Sequence, residues 1–175
     1  MNAAEGLRAS AVLFVAAMLQ VVIVSSLVVV GGAPDLLLVT VVALGLLRGS
    51  VAGAVFGFAA GLIVDLLTLE TLGVTSLVLT LAGFWAGRWI ETTGRGRRLA
   101  PVIAVGVITL LSGAFAVLLG YMLEEEVAVR NALVTVLPPT LLANLVLAYP
   151  VYLVVRSAVH ERDVLEPAPE VEVLV

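Results

Sequence analysis

Residues 34–66, PDLLLVTVVALGLLRGSVAGAVFGFAAGLIVDL, predict two apolar helices separated by a tight turn at residues 48–50. The first helix covers residues 35–47 and the second covers residues 51–67. A helix rises about 1.5 Å per residue and the hydrocarbon core of a bilayer is about 30 Å thick, so the first helix reaches across only about 20 Å. The pair is therefore either two membrane spans, the first of them short, or one re-entrant hairpin. In both cases it begins and ends on the same side of the membrane.

On both sides of this stretch the chain stays apolar. Of its 175 residues, 62% are hydrophobic and 13% are charged, whereas a soluble domain is about half apolar and about a quarter charged. Further apolar runs cover residues 9–30, 72–90, 100–123 and 127–155. The first run is too long for the apolar part of a signal peptide, and we interpret it as a retained span. The sequence predicts an all-α, polytopic transmembrane helix bundle of about six helices over residues 1–160, followed by a disordered acidic tail over residues 161–175.

The distribution of arginine predicts the orientation, because short cytoplasmic loops carry the excess of positive charge. If the N-terminus is cytoplasmic and six spans follow, eight of the nine basic residues lie on the inner side and only Arg130 lies outside. We therefore expect a multi-pass protein whose N- and C-termini, including the acidic tail, are both cytoplasmic.

Small residues recur along the second helix of the opening stretch. Gly49, Gly53, Gly57 and Gly61 follow one another at intervals of four residues, and Asp65 occupies the next step. We call these four glycines the glycine ridge. Such spacing places residues on one slowly winding face, where a neighbouring backbone can approach closely. The ridge either packs against another helix of the same bundle or receives the helix of a partner, and we name the four glycines and Asp65 as the candidate partner-binding residues.

An ionisable side chain close to the hydrocarbon core costs free energy, so the position of each such residue needs a physical explanation. Asp35 follows a proline, which is typical of a helix start, where a carboxylate favours the N-terminal dipole. Arg48 and Arg88 lie near inner helix ends, so both are interpreted as anchors to the phosphate layer. Asp65 is either solvated at the interface or bonded to an adjacent helix end or to a partner.

The last apolar run contains one amide and three prolines. Asn144 lies in the middle of the run, and its amide must find a hydrogen-bond partner inside the bundle. Pro138-Pro139 and Pro150 remove backbone donors and are expected to bend or restart the helix. The last span is therefore expected to start at Pro138.

The composition removes most catalytic and metal-binding chemistry. The chain has no cysteine, all nine of its basic residues are arginine, and its one histidine is His160, beside the tail. The sequence therefore does not supply the residues that are required for thiol catalysis, thiolate metal sites, Schiff-base lysines or histidine triads. We expect no catalytic residue, no metal site, no cofactor and no nucleic-acid partner.

An ordered set of these residues resembles the rod shape-determining protein MreD family. The set comprises Pro34-Asp35, Arg48, Gly53, Gly57-Phe58, Gly61, Asp65-Leu66, Thr71-Leu72-Gly73, Asn144, Pro150 and Arg156. The central block, residues 34–90, carries most of the resemblance, and the length and number of spans agree along nearly the whole chain. Pro138-Pro139 departs from the family pattern.

The resemblance implies a location, a function and a set of partners. It implies the bacterial cytoplasmic membrane and a non-enzymatic scaffold of the rod complex, or elongasome, which directs lateral peptidoglycan synthesis and rod cell shape. The implied partner is MreC, a protein with one membrane span, within an assembly that also holds RodA, a class B penicillin-binding transpeptidase and MreB. The bundle of such proteins is similar to the S-components of energy-coupling-factor transporters, so the alternative function is that of a substrate-binding subunit of a small-molecule transporter.

Overall fold

The computed structural model describes residues 3–26, 33–68, 73–93, 99–122 and 135–159. These residues form six helices and no strand, which confirms the all-α fold class. The helices are α1 (Ala3–Ser26), α2 (Leu36–Arg48), α3 (Ser50–Thr68), α4 (Val74–Thr93), α5 (Ala100–Met122) and α6 (Leu137–Val159). The predicted tail over residues 161–175 and Arg130 lie outside the described residues.

Consecutive helices run antiparallel, so the bundle has two ends. At one end, which we call the Asp35 end, α1, α3 and α5 finish and α2, α4 and α6 begin. At the other, which we call the Arg48 end, α2, α4 and α6 finish. The contacts between α3 and α4 show this arrangement, because Gly53 lies opposite Gly83 and Gly61 lies opposite Ser76.

The short helix α2 lies at the centre of the bundle. Every residue from Leu37 to Leu46 is buried, and the helix contacts all five of the others. Its predicted bounds, residues 35–47, differ from the observed ones by a single residue at each end. Because protein rather than lipid surrounds α2, its length of about 20 Å does not have to match the thickness of the hydrocarbon core.

The outer surface of the bundle is apolar. Large hydrophobic side chains with substantial exposure occur on every helix other than α2, among them Phe14, Val55, Trp85, Leu111 and Val146. A continuous apolar exterior would be unfavourable in water and is the normal exterior of a protein in lipid. By length and composition, α3 and α6 are each long and apolar enough to cross a membrane.

The last helix begins where its prolines can be accommodated. It starts at Leu137, one residue before the predicted Pro138, and places Pro138 and Pro139 in its first turn. The N–H groups of that turn have no acceptor within the helix, so proline loses no hydrogen bond there. Of the two outcomes expected at Pro150, a bend or a restart of the helix, the restart does not occur, because α6 continues through Pro150 to Val159.

Candidate functional site

The glycine ridge packs against α4. A Cβ atom placed on Gly53 would overlap the carbonyl of Gly83, one on Gly57 would overlap the carbonyl of Leu79, and one on Gly61 would overlap the backbone of Ser76. The two backbones are therefore in direct contact along most of α3, which only glycine permits.

Helix α4 contributes glycines of its own to the same contact. A Cβ atom on Gly83 would overlap the Gly53 carbonyl, and one on Gly87 would overlap the backbone of Gly49 and Ser50. The ridge is therefore an internal surface of the bundle, which corresponds to the first of the two alternatives drawn from the sequence. Partner binding at the ridge would require α4 to leave it.

Asp65 binds the start of α4. Its side chain is fully buried, with 0% exposure. Its Oδ2 atom accepts hydrogen bonds from Gly73 N at 2.9 Å, Ser76 N at 3.3 Å and Ser76 Oγ at 3.0 Å. Gly73 has a positive φ of 98°, which glycine adopts without strain. Of the alternatives drawn from the sequence, the structure shows the one in which Asp65 bonds an adjacent helix end.

Glu91 makes the matching contact at the opposite end of the same helix pair. Its Oε1 atom accepts hydrogen bonds from Ser50 N at 2.7 Å and from Ser50 Oγ at 3.0 Å, at the first residue of α3. Arg88 lies one turn away, 3.7 Å from Glu91 Oε2. The hairpin formed by α3 and α4 is therefore closed at both ends, since a carboxylate near the end of each helix binds the start of the other.

A third group of polar side chains surrounds the start of α2. Asn144 has 0% exposure; its Oδ1 accepts from Asp35 N at 2.8 Å, and its Nδ2 donates to Thr109 Oγ1 at 3.2 Å. Asp35 caps its own helix by accepting from Leu38 N at 2.9 Å. Gln20 of α1 completes the group, with Oε1 accepting from Leu36 N at 2.8 Å and Nε2 donating to Pro34 O at 3.3 Å. We call these four residues, Gln20, Asp35, Thr109 and Asn144, the Asp35 cluster.

The Asp35 cluster contains two residues that the sequence singled out and one that sequence reasoning missed. Asp35 is the N-cap of α2, and Asn144 has its hydrogen-bond partners inside the bundle. Gln20 was overlooked, although a single amide within the apolar run 9–30 must also find a partner in the bundle. Glu91 was overlooked as well, because it follows the apolar run 72–90, whereas the structure places it inside α4.

The two arginines interpreted as anchors differ in their surroundings. Arg88 is 59% exposed, as expected for a side chain that extends toward the phosphate layer. Arg48 is half-buried and donates from Nη2 to the carbonyl oxygen of Val159 at 2.9 Å. It therefore binds the free carbonyl at the end of α6, where a cation also complements the helix dipole.

The side chains of Gln20, Asp65, Glu91 and Asn144 thus each connect one helix to the start of another. Within the described ranges, no set of three or more His, Asp or Glu side chains could hold a metal ion. The arrangement fixes the packing of α1 and α6 on α2, and of α3 on α4.

Comparison with known proteins gives one match. The family model described as rod shape-determining protein MreD matches residues 7–160. No curated protein and no solved structure matches the chain.

Proposed function

The chain belongs to the rod shape-determining protein MreD family, and from this premise we propose that it is a scaffold subunit of the bacterial rod complex. The family implies a role in determining rod shape, and its members are membrane proteins with a structural rather than an enzymatic role. The finer proposal is that the bundle binds the spanning helix of MreC and so supports lateral peptidoglycan synthesis. The match to most of the chain is the observation that carries the proposal.

The interior of the bundle supports a scaffold rather than an enzyme. The side chains of Asp65 and Asn144, which are fully buried, and of Gln20, which is half-buried, bind backbone groups at helix starts. Groups engaged in this way stabilise one helix arrangement, and a rigid arrangement is what a scaffold needs in order to present a constant surface.

The positions of the described arginines support a cytoplasmic Arg48 end. Arg48 and Arg156 lie near the ends of α2 and α6, Arg88 lies near the end of α4, and Arg8 lies near the start of α1. All four therefore lie toward the same end of the bundle. Because arginine is enriched on the cytoplasmic side, we propose that both termini are cytoplasmic and that the Asp35 end faces outward.

The groove between α4 and α5 is the docking surface that we propose for MreC. It encloses about 200 Å³ and is lined by Val78, Leu81, Trp85, Leu111 and Phe115, among others. Trp85 is 57% exposed and stands edge-to-face with Phe84 at 5.9 Å. Exposed aromatic side chains beside a groove are typical anchors of protein interfaces. The glycine ridge is less suitable, because α4 already covers it.

Affinity purification from native membranes tests the proposal. A tagged chain should recover MreC, and Trp85→Ala should reduce that recovery several-fold. Phe14→Ala is the matched control, because Phe14 is a large aromatic residue of similar exposure, 54%, on α1. Recovery of the tagged chain without MreC would contradict the scaffold, whereas equal recovery of MreC by both variants would contradict only the groove.

A further inference from the structure

The face of α6 that points away from the bundle carries a regular row of large side chains. Leu142, Val146, Tyr149 and Leu153 follow one another at intervals of four, three and four residues, and we call them the α6 stripe. Their exposed fractions are 65%, 74%, 46% and 44%, so the described helices leave them largely uncovered. Alternating intervals of three and four residues are those of the seam along which two parallel helices pack.

The stripe contains a backbone carbonyl that has lost its usual donor. In a regular helix the carbonyl of Val146 would accept from the N–H of residue 150, but Pro150 has no N–H. Helix α6 nevertheless continues through Pro150 to Val159, and no side chain of the described residues donates to the Val146 carbonyl. Since lipid chains have no donors, this carbonyl needs a donor from another protein element.

The stripe also contains a hydroxyl group in the middle of the span. Tyr149 lies twelve residues after Leu137 and ten residues before Val159, which places it about 18 Å and 15 Å from the two ends of α6. Tyrosine in membrane proteins is enriched at the water interface, where its hydroxyl can be solvated. The Tyr149 hydroxyl is far from that interface, and it has no hydrogen-bond partner in the part of the chain that the structure describes.

The donor and the acceptor lie at about the same depth. Helical side chains lean toward the N-terminus of their helix, so the Tyr149 hydroxyl lies closer to the level of Val146 than its own Cα does. The Val146 carbonyl points in the opposite direction, toward Pro150. A face that presents one donor and one acceptor side by side at one depth is complementary to a second copy of itself.

We propose that two copies of this chain form a dimer in which their α6 stripes pack against each other. Both copies have the same orientation in the membrane, so the two helices are parallel and are related by a two-fold axis along the membrane normal. Each Tyr149 hydroxyl donates to the Val146 carbonyl of the other copy, and the symmetry makes this bond form twice. A lipid chain covers the apolar stripe equally well, but it satisfies neither the hydroxyl nor the carbonyl.

The ends of the stripe and the other proposed surface are compatible with this dimer. The next position of the seam is Arg156, in the last turn of α6, where the side chain reaches the phosphate layer and lipid phosphates separate the two like charges. The groove proposed for MreC lies between α4 and α5 and does not include the stripe. The dimer therefore does not depend on MreC binding.

Counting of fluorescently labelled chains in lipid vesicles, over a range of protein-to-lipid ratios, measures the dissociation constant of the dimer. Tyr149→Phe removes only the hydroxyl and should raise this constant about tenfold, since it deletes two hydrogen bonds of the strength found between membrane helices. Pro150→Ala restores the N–H for the Val146 carbonyl and should also weaken the dimer. Tyr152→Phe is the matched control, because Tyr152 is half-buried and packs against the core of its own bundle.

Three results of this experiment would overturn the proposal. A wild-type chain that stays monomeric at every ratio would show that lipid covers the stripe. A dissociation constant that is unchanged by Tyr149→Phe, or one that Tyr152→Phe raises as much as Tyr149→Phe does, would show that the reciprocal hydrogen bonds do not hold the two copies together.

Cross-linking through single cysteines locates the interface, because the natural chain contains no cysteine. In the proposed dimer the two copies of residue 142 meet across the axis, so Leu142→Cys should form a disulfide between copies when native membranes are oxidised. Val55→Cys on α3 is the control, since Val55 has a similar exposed fraction, 61%, and should remain uncross-linked. Equal cross-linking of the two variants, or cross-linking of Val55→Cys alone, would overturn the proposal.

Discussion

At the scale of the residue, polar side chains in this bundle bind the starts of helices other than their own. Asp65 binds the start of α4, Glu91 that of α3, and both Gln20 and Asn144 that of α2. The first N–H groups of a helix have no acceptor within it, and lipid offers none. Each of these side chains therefore replaces the water that would cap the same helix in a soluble protein.

Removing the Asp65 carboxylate should destabilise the bundle. Asp65→Ala leaves the N–H groups of Gly73 and Ser76 and the Ser76 hydroxyl without their acceptor, at a cost of about 2–3 kcal/mol. Asp65→Asn should cost less, because its amide oxygen still accepts. The free energy of unfolding of both variants can be measured in mixed micelles with increasing dodecyl sulfate. The fluorescence of Trp85 and Trp89 reports the unfolding. Thr68→Val, which alters an exposed hydroxyl near the end of the same helix, is the control, and an Asp65→Ala variant as stable as this control would contradict the capping role.

Asn144 and Thr109 should show energetic coupling. Asn144→Leu leaves the Asp35 N–H without an acceptor and Thr109 without its donor, and should cost about 2 kcal/mol. Thr109→Val should cost less, and the double variant should cost less than the sum of the two single variants. The same unfolding titration gives the free energies of unfolding of the wild type, the two single variants and the double variant. Strict additivity would show that the hydrogen bond of 3.2 Å between the two side chains contributes nothing to stability.

The sequence predicted which of these residues need partners but not which partners they have. Asn144 could be recognised because an amide in an apolar run has no alternative to bonding within the bundle. Its two partners are 109 and 35 residues away along the chain, and no local pattern connects them. Glu91 was missed for a related reason, since its role depends on how closely α4 approaches the start of α3.

At the scale of the element, α3, which carries the glycine ridge, and α4 form a single close-packed pair. Gly57→Ala places a methyl group on the Leu79 carbonyl, where backbone rather than a flexible side chain must move, and should cost about 3 kcal/mol. Gly106→Ala on α5 is the matched comparison, because its methyl group would meet only the end of the Leu145 side chain at 3.2 Å. We expect Gly106→Ala to remain within about 1 kcal/mol of the wild type, since alanine also favours the helix. Equal destabilisation by the two variants, measured by unfolding in mixed micelles, would contradict the backbone contact between α3 and α4.

The sequence predicted where α2 begins and ends better than it predicted which helices pack against each other. Proline and aspartate at residues 34 and 35, and arginine and glycine at residues 48 and 49, mark α2 to within one residue. The same pattern could not distinguish a short span from a re-entrant segment, because that depends on whether lipid or protein surrounds the helix. The four-residue period of the ridge likewise predicts a close helix contact without identifying the helix, and both α4 and an external partner were compatible with it.

At the scale of the whole molecule, the two ends of the bundle differ in charge. Among the residues that the structure describes, the Asp35 end has the carboxylates of Asp35 and Asp65, whereas the Arg48 end has four arginines together with Glu5 and Glu91. Within the described residues, the charged groups that lie deepest, Asp35 and Asp65, are bonded to helix starts, and the arginines lie toward one end. This asymmetry predicts a single orientation in the membrane, with the Asp35 end facing outward.

Labelling of single cysteines should determine that orientation directly, because the natural chain contains no cysteine. Thr68 and Thr93 are both exposed and lie at the ends of α3 and α4, on opposite ends of the bundle. In sealed right-side-out membrane vesicles, a membrane-impermeant maleimide should label Thr68→Cys and leave Thr93→Cys unmodified, whereas inverted vesicles should give the reverse. Labelling of both after permeabilisation is the control for accessibility. If Thr93→Cys reacted from the outside, the arginine-rich end would be extracytoplasmic, and the orientation proposed from the distribution of arginine would be wrong.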